Sequence, residues 1–380
     1  MKIAILGYGV VGSGAYEILK KSGYDVKRVL DIRPHKELGD SLTANYDDIL
    51  NDNEIGVVAE AIGGLEPAHT FVVKALKAGK HVVSSNKHLI CEYYDELHAL
   101  AKENGVTVNF TSAVGGGIPW LYNLNRTTNG DTINKIMGIM NGTTNFILDA
   151  MITDGRDFSE VLAEAQALGY AEANPSADID GLDVARKTAI SSSIAFKTTV
   201  AEKDVDIFSL RNITKNDIDY IKDKFGKTVR YMGFGIKNDD STISTFVEPV
   251  ILPTTSLEAN VNKNFNIITL FGESVGRLSF YGQGAGKYPT GHALASDVID
   301  VVNGERHTHV YGKVYDVNNA NCERKYYIRA NFLPSEYASY EQIGSSYYII
   351  TNKMKVSEIH LLAKSILESD PLAFFAGFEE

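Results

Sequence analysis

The sequence predicts an α/β fold: a doubly wound parallel sheet joined to an α+β domain with a mixed sheet. Three observations carry this. The first 125 or so residues alternate short, β-branched apolar runs with helical stretches, and the first three runs stop at a glycine or an acid. A glycine-spaced turn follows the first run directly. From about Thr132 the pattern changes, and after two further helical stretches successive strands appear from Val229. At 380 residues the chain is too long for one ordinary core, so two or three domains are expected. Its composition, 44% hydrophobic and 22% charged, is that of a soluble globular protein. A net charge of -11 argues against nucleic acid or a membrane surface as partner. The absence of an apolar run of about 18 residues argues against a membrane span. The two cysteines, Cys91 and Cys322, offer neither a disulfide framework nor a metal cluster.

Lys2–Leu6 reads as a buried strand that enters Gly7-Tyr8-Gly9-Val10-Val11-Gly12 and then a helix through Lys21. In this G-x-G-x-x-G turn Gly7 permits the tight bend and Gly9 lets backbone approach a pyrophosphate. Gly12 lets helix and strand pack closely, and Val10 and Val11 head the helix whose N-terminus faces the anion. The next strand, Val26–Leu30, ends at Asp31, where an acid accepts the ribose hydroxyl hydrogen bonds of a dinucleotide. A Rossmann-type NAD(P) domain follows. Asp31 favours NAD, whereas Arg33, His35 and Lys36 could pair with the extra phosphate of NADP. Both cofactors stay open.

The alternation continues. Val57–Ile62 ends in Gly63-Gly64, and a helix spans Pro67–Ala78. His81–Ser84 ends in Ser85-Asn86-Lys87, and a helix runs over Tyr93–Asn104. Val106–Phe110 leads to a glycine-rich loop over 114–119. Ligands collect beyond the carboxyl ends of parallel strands. Gly63, Gly64, Asn86, Lys87 and that loop are therefore placed on one crevice.

Ile133–Ile139 reads as a strand running into Asn141-Gly142-Thr143-Thr144-Asn145, small amide and hydroxyl donors at a helix start. A helix over Phe158–Leu168 leads to a segment rich in acids, with Glu172, Asp178, Asp180 and Asp183 before Lys187. Asp183 and Lys187 are four apart and share a helix face, so the acid can orient the ammonium and tune its proton affinity. Strands are expected over Val229–Ile236, Ser241–Ile251 and Asn266–Phe271, then a helix over His292–Val302. Between them, the glycine run 281–286 offers Gly284 as a second close approach to the cofactor. The tail from about Cys322 reads as strands Lys325–Phe332 and Tyr347–Thr351 and a helix Val356–Leu367.

Taken together, GYGVVGSG, AIGGLEPAH, VVSSNKHLI, GGGIP, NGTTNFIL, LAEAQALGYAEANPSADIDGLDVARK and GQGAGKYPT resemble homoserine dehydrogenase, in family order over about residues 1–312. The resemblance implies NAD(P)-dependent interconversion of L-aspartate 4-semialdehyde and L-homoserine, in threonine and methionine biosynthesis. It implies an NAD(P) domain over 1–125 and a substrate-binding and dimerisation domain over 126–285. A return to the first domain over 286–318 and a short ACT-like or degenerate regulatory segment over 319–380 complete the layout. It further implies that Lys187 donates the proton, Asp183 orients it and Lys87 is a second active-site lysine. Glu172 binds the substrate ammonium beside Asp178, and Asn141, Gly142 and Thr143 form the substrate loop. A monovalent cation, Na⁺ or K⁺, is implied on the backbone carbonyls of Val114, Gly116 and Ile118. Here, however, Thr111 stands where the family often has a glutamate ligand. The tail lacks the family's glycine turn, so threonine feedback is not expected. A homodimer or homotetramer in the cytoplasm is the implied setting, with no nucleic-acid or membrane partner. The competing readings are another Rossmann-fold amino-acid or sugar dehydrogenase and a silent dinucleotide-binding regulator. The former would lack NGTTN and the LGYAE block, and the latter the acid and lysine constellation.

Overall fold

The computed structural model describes residues 1–335 and 337–379. It divides into two compact units. The first holds Met1–Gly130, Ile190–Ala201 and Gly282–Val314, and the second Asp131–Ala189, Glu202–Tyr281 and Tyr315–Glu380.

The first unit is built on a six-stranded parallel sheet. Its strands are β1 (Lys2–Leu6), β2 (Val26–Leu30), β3 (Leu42–Thr43), β4 (Ile55–Glu60), β5 (His81–Ser84) and β6 (Val108–Asn109). They lie in the order β3-β2-β1-β4-β5-β6, so the winding reverses between β1 and β4. That reversal is where an open α/β sheet leaves a crevice at its carboxyl edge. The strands are near-continuous apolar runs because both faces of such a sheet are covered. Ile3, Ile5, Val29, Val57 and Ala59 pack in one core with Leu19 of the helix Val10–Lys21. Leu294, Ala295, Val298 and Val301 of the helix Lys287–Val302 enter the same core. That helix starts at Lys287, five residues before the expected His292. Pro289 lies in its first turn, where backbone N–H groups have no intrahelical partner, so the proline does not break it. A Cβ on Gly14 would lie 2.2 Å from the Lys287 carbonyl oxygen, and one on Gly291 would lie 2.8 Å from the Ala15 nitrogen. The two helices thus meet backbone to backbone.

The second unit carries an eleven-stranded mixed sheet. Its spine is the antiparallel pair Lys227–Lys237 and Thr242–Pro253, with Phe234 opposite Phe246. Ile133–Ile139 pairs antiparallel with the first of these and with Phe265–Gly272. The tail extends the same sheet. Phe374–Phe378 runs parallel to Thr242–Pro253 and antiparallel to Tyr326–Ala330, which is followed by Ser346–Ile350 and Ser339–Ile343. The helix Val356–Ser369 covers this part, packing Ile359, Ala363 and Ile366 against Ile328, Ile349 and Phe375.

Candidate active site

In the first unit the glycine turn has the shape its spacing predicts. Gly7 has φ +90, and a Cβ on it would lie 2.8 Å from the Ala61 carbonyl oxygen. A Cβ on Gly12 would lie 2.0 Å from the Gly7 carbonyl oxygen, so only glycine lets the helix leave the strand this closely. Gly9 has nothing within 4 Å of its Cβ position, which leaves room above the helix N-terminus for a pyrophosphate. Val10 and Val11 are the first residues of that helix. Asp31 accepts the Tyr8 N–H at 2.8 Å and the Arg33 N–H at 2.9 Å. The Arg33 guanidinium closes on the same carboxylate at 3.1 and 2.9 Å. Hydrogen bonding from Arg33 holds the Asp31 carboxyl well below the usual range despite burial. An acid suited to a ribose hydroxyl and a cation suited to a 2′-phosphate therefore share one point.

Gly63 and Gly64, after β4, both adopt left-handed backbone, with φ +82 and +71. Asn86, after β5, donates from Nδ2 to the Gly64 carbonyl at 2.6 Å. Its Oδ1 accepts the Leu89 N–H at 3.2 Å and so caps the helix Lys87–Glu92. Lys87 is the half-buried first residue of that helix. Gly284 lies against the 114–118 loop, for a Cβ on Gly116 would meet its carbonyl oxygen at 2.4 Å.

In the same loop the backbone carbonyls stand without the family's carboxylate. The Ile118 carbonyl already accepts the Trp120 N–H at 2.7 Å. Buried Thr111 brings no carboxylate, and its own N–H is spent on Asp297 at 2.7 Å. The carboxylate that the family pattern implies for Na⁺ or K⁺ is therefore missing here, and only backbone carbonyls remain.

In the second unit a polar network surrounds Lys187, which is 8% exposed. Its ammonium donates to Asp183 Oδ2 at 2.7 Å and to the Met140 carbonyl at 2.6 Å. Met140 ends the approach from the strand Ile133–Ile139, and Asp183 lies one helical turn before the lysine on the helix Leu182–Phe196. Asn141 Nδ2 bridges two acids, Asp183 Oδ2 at 2.8 Å and Asp178 Oδ1 at 2.7 Å. Its Oδ1 accepts the Thr144 N–H at 2.8 Å, capping the helix Gly142–Asp154. One amide thus caps a helix and ties the acids together, which is why the loop needs asparagine. Burial, then the neighbouring Asp183 charge, raises the Asp178 carboxyl. Thr143 Oγ1 donates to the Tyr170 carbonyl at 2.7 Å. Gly142 faces the Asn264 carbonyl, 2.9 Å from where a Cβ would sit.

The structure joins Lys187, Asp183, Asn141 and Asp178 directly, with Thr143 beside them. Glu172 stands apart: it is exposed, and among the described residues only its backbone carbonyl is bonded, by Gln166 at 3.0 Å. Asp180 turns to Arg211, at 2.7 and 2.9 Å, and pins the turn. Sequence reasoning gave Asn145 only a place in the donor loop, whereas its Nδ2 holds the carbonyls of Val261, Lys263 and Phe265 at 3.0, 2.9 and 3.2 Å. It passed over Glu60, fully buried at the end of β4. The available signal was an acid closing a strand just before a glycine pair, as Asp31 closes β2.

A doubly wound sheet with this turn, and a buried lysine–carboxylate pair equipped for proton transfer, define an NAD(P)-dependent oxidoreductase. Two family models match, "Homoserine dehydrogenase" over residues 119–299 and "Homoserine dehydrogenase, NAD binding domain" over residues 7–111. The chain belongs to the homoserine dehydrogenase family.

The homoserine dehydrogenase of Bacillus subtilis is 39% identical over 321 residues, covering 80% of this chain and 74% of its own. That of Synechocystis is 40% identical over 318 residues, covering 80% and 73%. The crystal structure of a Thiobacillus denitrificans homoserine dehydrogenase superposes with a TM-score of 0.89 at 30% identity, covering 100% of this chain and 98% of that one.

Proposed function

We propose that Lys187 is the proton donor in the reversible NAD(P)-dependent reduction of L-aspartate 4-semialdehyde to L-homoserine. The observation that carries this is the buried Lys187 ammonium. Among the described residues Asp183 and Met140 take two of its three N–H bonds and leave one for a substrate oxygen. When bound, the reduced dinucleotide supplies the hydride. As negative charge builds on the aldehyde oxygen, the fixed ammonium stabilises it and then releases a proton. Asp183 orients that ammonium, and Asn141 holds Asp183. Lys87 is read as a second active-site lysine beside the nicotinamide.

Two acids around one lysine leave this wall of the site short of positive charge, which suits a substrate ammonium. Asp178 and Glu172 are assigned to it, and Asn141, Gly142 and Thr143 to the substrate loop. Gly7, Gly9, Val10, Val11, Gly12, Asp31, Arg33, Gly63, Gly64, Asn86, Lys87 and Gly284 are assigned to the dinucleotide. The open space over Gly9 and the two left-handed glycines after β4 support that assignment.

Residues 1–125 and 286–318 are read as the nucleotide domain, 126–285 as the substrate and dimerisation domain and 319–380 as an ACT-like or degenerate regulatory segment. The hairpin and helix over 339–369 support the last. A homodimer or homotetramer in the cytoplasm completes the reading. The test is a steady-state assay of homoserine oxidation with NAD and with NADP. Homoserine-dependent reduction of either cofactor is expected, and none with either would overturn the assignment.

A further inference from the structure

Glu60 is the last residue of a central strand and is wholly shut off from solvent. A carboxyl group in that position is costly to bury unless its oxygens are paired. Here both are. Oε1 accepts the Ile62 N–H at 2.8 Å and the Gly63 N–H at 3.3 Å. Oε2 accepts the Ser84 hydroxyl at 2.5 Å. Ser84 Oγ in turn accepts the Asn86 N–H at 3.0 Å, and Asn86 Nδ2 returns to the Gly64 carbonyl at 2.6 Å. The bonds close a ring around the carboxyl ends of β4 and β5, which are level because Glu60 pairs with Ser84 in register. With Glu60 ionised its oxygens only accept, so the Ser84 hydroxyl donates to it while its own oxygen accepts the Asn86 N–H.

The ring fixes two features that face the crevice. It sets the left-handed Gly63-Gly64 turn, which is exposed, and it sets the Asn86 cap from which the helix bearing Lys87 starts. An apolar side chain would fill this place in the sheet at less cost. The acid is useful because it aims two loops at once.

We propose that Glu60 is a positioning residue for the dinucleotide, acting through Ser84 and the Ile62–Gly64 backbone to hold the two strand-end turns that receive the nicotinamide end. This rests on the reading of the crevice as the NAD(P) seat.

Glu60→Gln is the direct test. It keeps the volume and both N–H bonds but places an amide donor against Ser84, which leaves the hydroxyl proton without its acceptor. Ser84→Ala cuts the same link from the other side, leaving the glutamate in place, and also removes the acceptor of the Asn86 N–H. NAD(P)H binding is read by nicotinamide fluorescence, alongside melting temperature and the KM values for cofactor and homoserine. Each variant is expected to raise the NAD(P)H dissociation constant about tenfold, the weight of one such hydrogen bond. The homoserine KM should stay within about twofold. The double variant should be no worse than Ser84→Ala alone, because both substitutions break the Glu60–Ser84 link. Wild-type NAD(P)H affinity in both single variants, with or without a lower melting temperature, would overturn the proposal and leave Glu60 a purely structural acid. The binding arm needs no homoserine, so a wrong substrate assignment would show separately as absent turnover in the parent chain.

Discussion

Lys187 Nζ lies 2.7 Å from Asp183 Oδ2, one helical turn away, with both side chains almost fully buried. Such a pair contributes little net stability, because desolvating two charges offsets most of their attraction. Its use is to hold an ammonium in a fixed direction. Replacing Lys187 with alanine should lower kcat by about 10²–10⁴-fold, the usual weight of a positioned acid or base. NAD(P)H binding should be unchanged. Lys187→Arg should not rescue, since a guanidinium does not release its proton. A near-parental kcat in either variant would remove Lys187 from proton transfer.

Asn141 couples structure to chemistry. Asn141→Ala loses a helix cap, about 1 kcal/mol, and exposes two carboxylates to each other. A lower melting temperature should therefore accompany a fall in kcat/KM for homoserine. Asn141→Asp should be worse for activity than alanine, because a third acid joins the pair. Equal activity for the two variants would show that the bridge between Asp178 and Asp183 is without consequence.

Cofactor choice should turn on Asp31 and Arg33. Asp31→Ala frees the guanidinium that now closes on the carboxylate. The ratio of kcat/KM for NADP over NAD should rise by about tenfold. Arg33→Ala should move it the other way. An unchanged ratio in both would place cofactor discrimination elsewhere.

Glu172 is exposed and its carboxylate is unbonded among the described residues, as suits a group whose partner is the substrate. Glu172→Ala should raise the KM for homoserine severalfold and leave that for the cofactor alone. If neither KM moves, the ammonium is bound by Asp178 and its neighbours instead.

Stability should depend on pH through Asp297. Burial pushes this carboxyl up to about 7, against the hydrogen bonds from Thr111. In the unfolded chain it titrates near an ordinary ~4. Between these values the folded state holds one more proton than the unfolded state. Stability should therefore fall as pH rises from about 4 to about 7 and then level off, by a few kcal/mol at most. Glu248, also pushed up to about 7 by burial and only partly relieved by Arg324, acts in the same window. Asp297→Asn should flatten part of the slope of melting temperature between about pH 4 and 7. An unaltered slope would exclude Asp297 as a contributor.

Local physics made some of this molecule legible in its sequence. The strands β1, β2 and β5 and the glycine turn were readable because each is a short apolar run or a fixed spacing. The Asp183–Lys187 pair was readable from helical periodicity. What escaped depends on partners distant in the chain. Phe374–Phe378 lies between strands that begin at Thr242 and Tyr326, and nothing within the segment names those neighbours. Gly276–Gln283 has no buried residue, so it shows no burial alternation. The helix Lys215–Phe225 did announce itself, through the Thr214 and Asp217 capping box, and was passed over. Glu60 lay hidden because an acid at a strand end looks solvated until the neighbouring strand brings Ser84 to it.

The contact of Gly14 with Lys287 and of Gly291 with Ala15 has a consequence for how the protein is made. The nucleotide-binding unit needs residues 287–302 to fill its core, so it cannot be excised as an N-terminal fragment. On the ribosome, where N-terminal domains usually fold first, its opening strands must wait for nearly 300 residues of chain before their last helix arrives. During that delay the sheet already carries the helix Val10–Lys21, but the part of its core that Leu294, Ala295, Val298 and Val301 fill stays open.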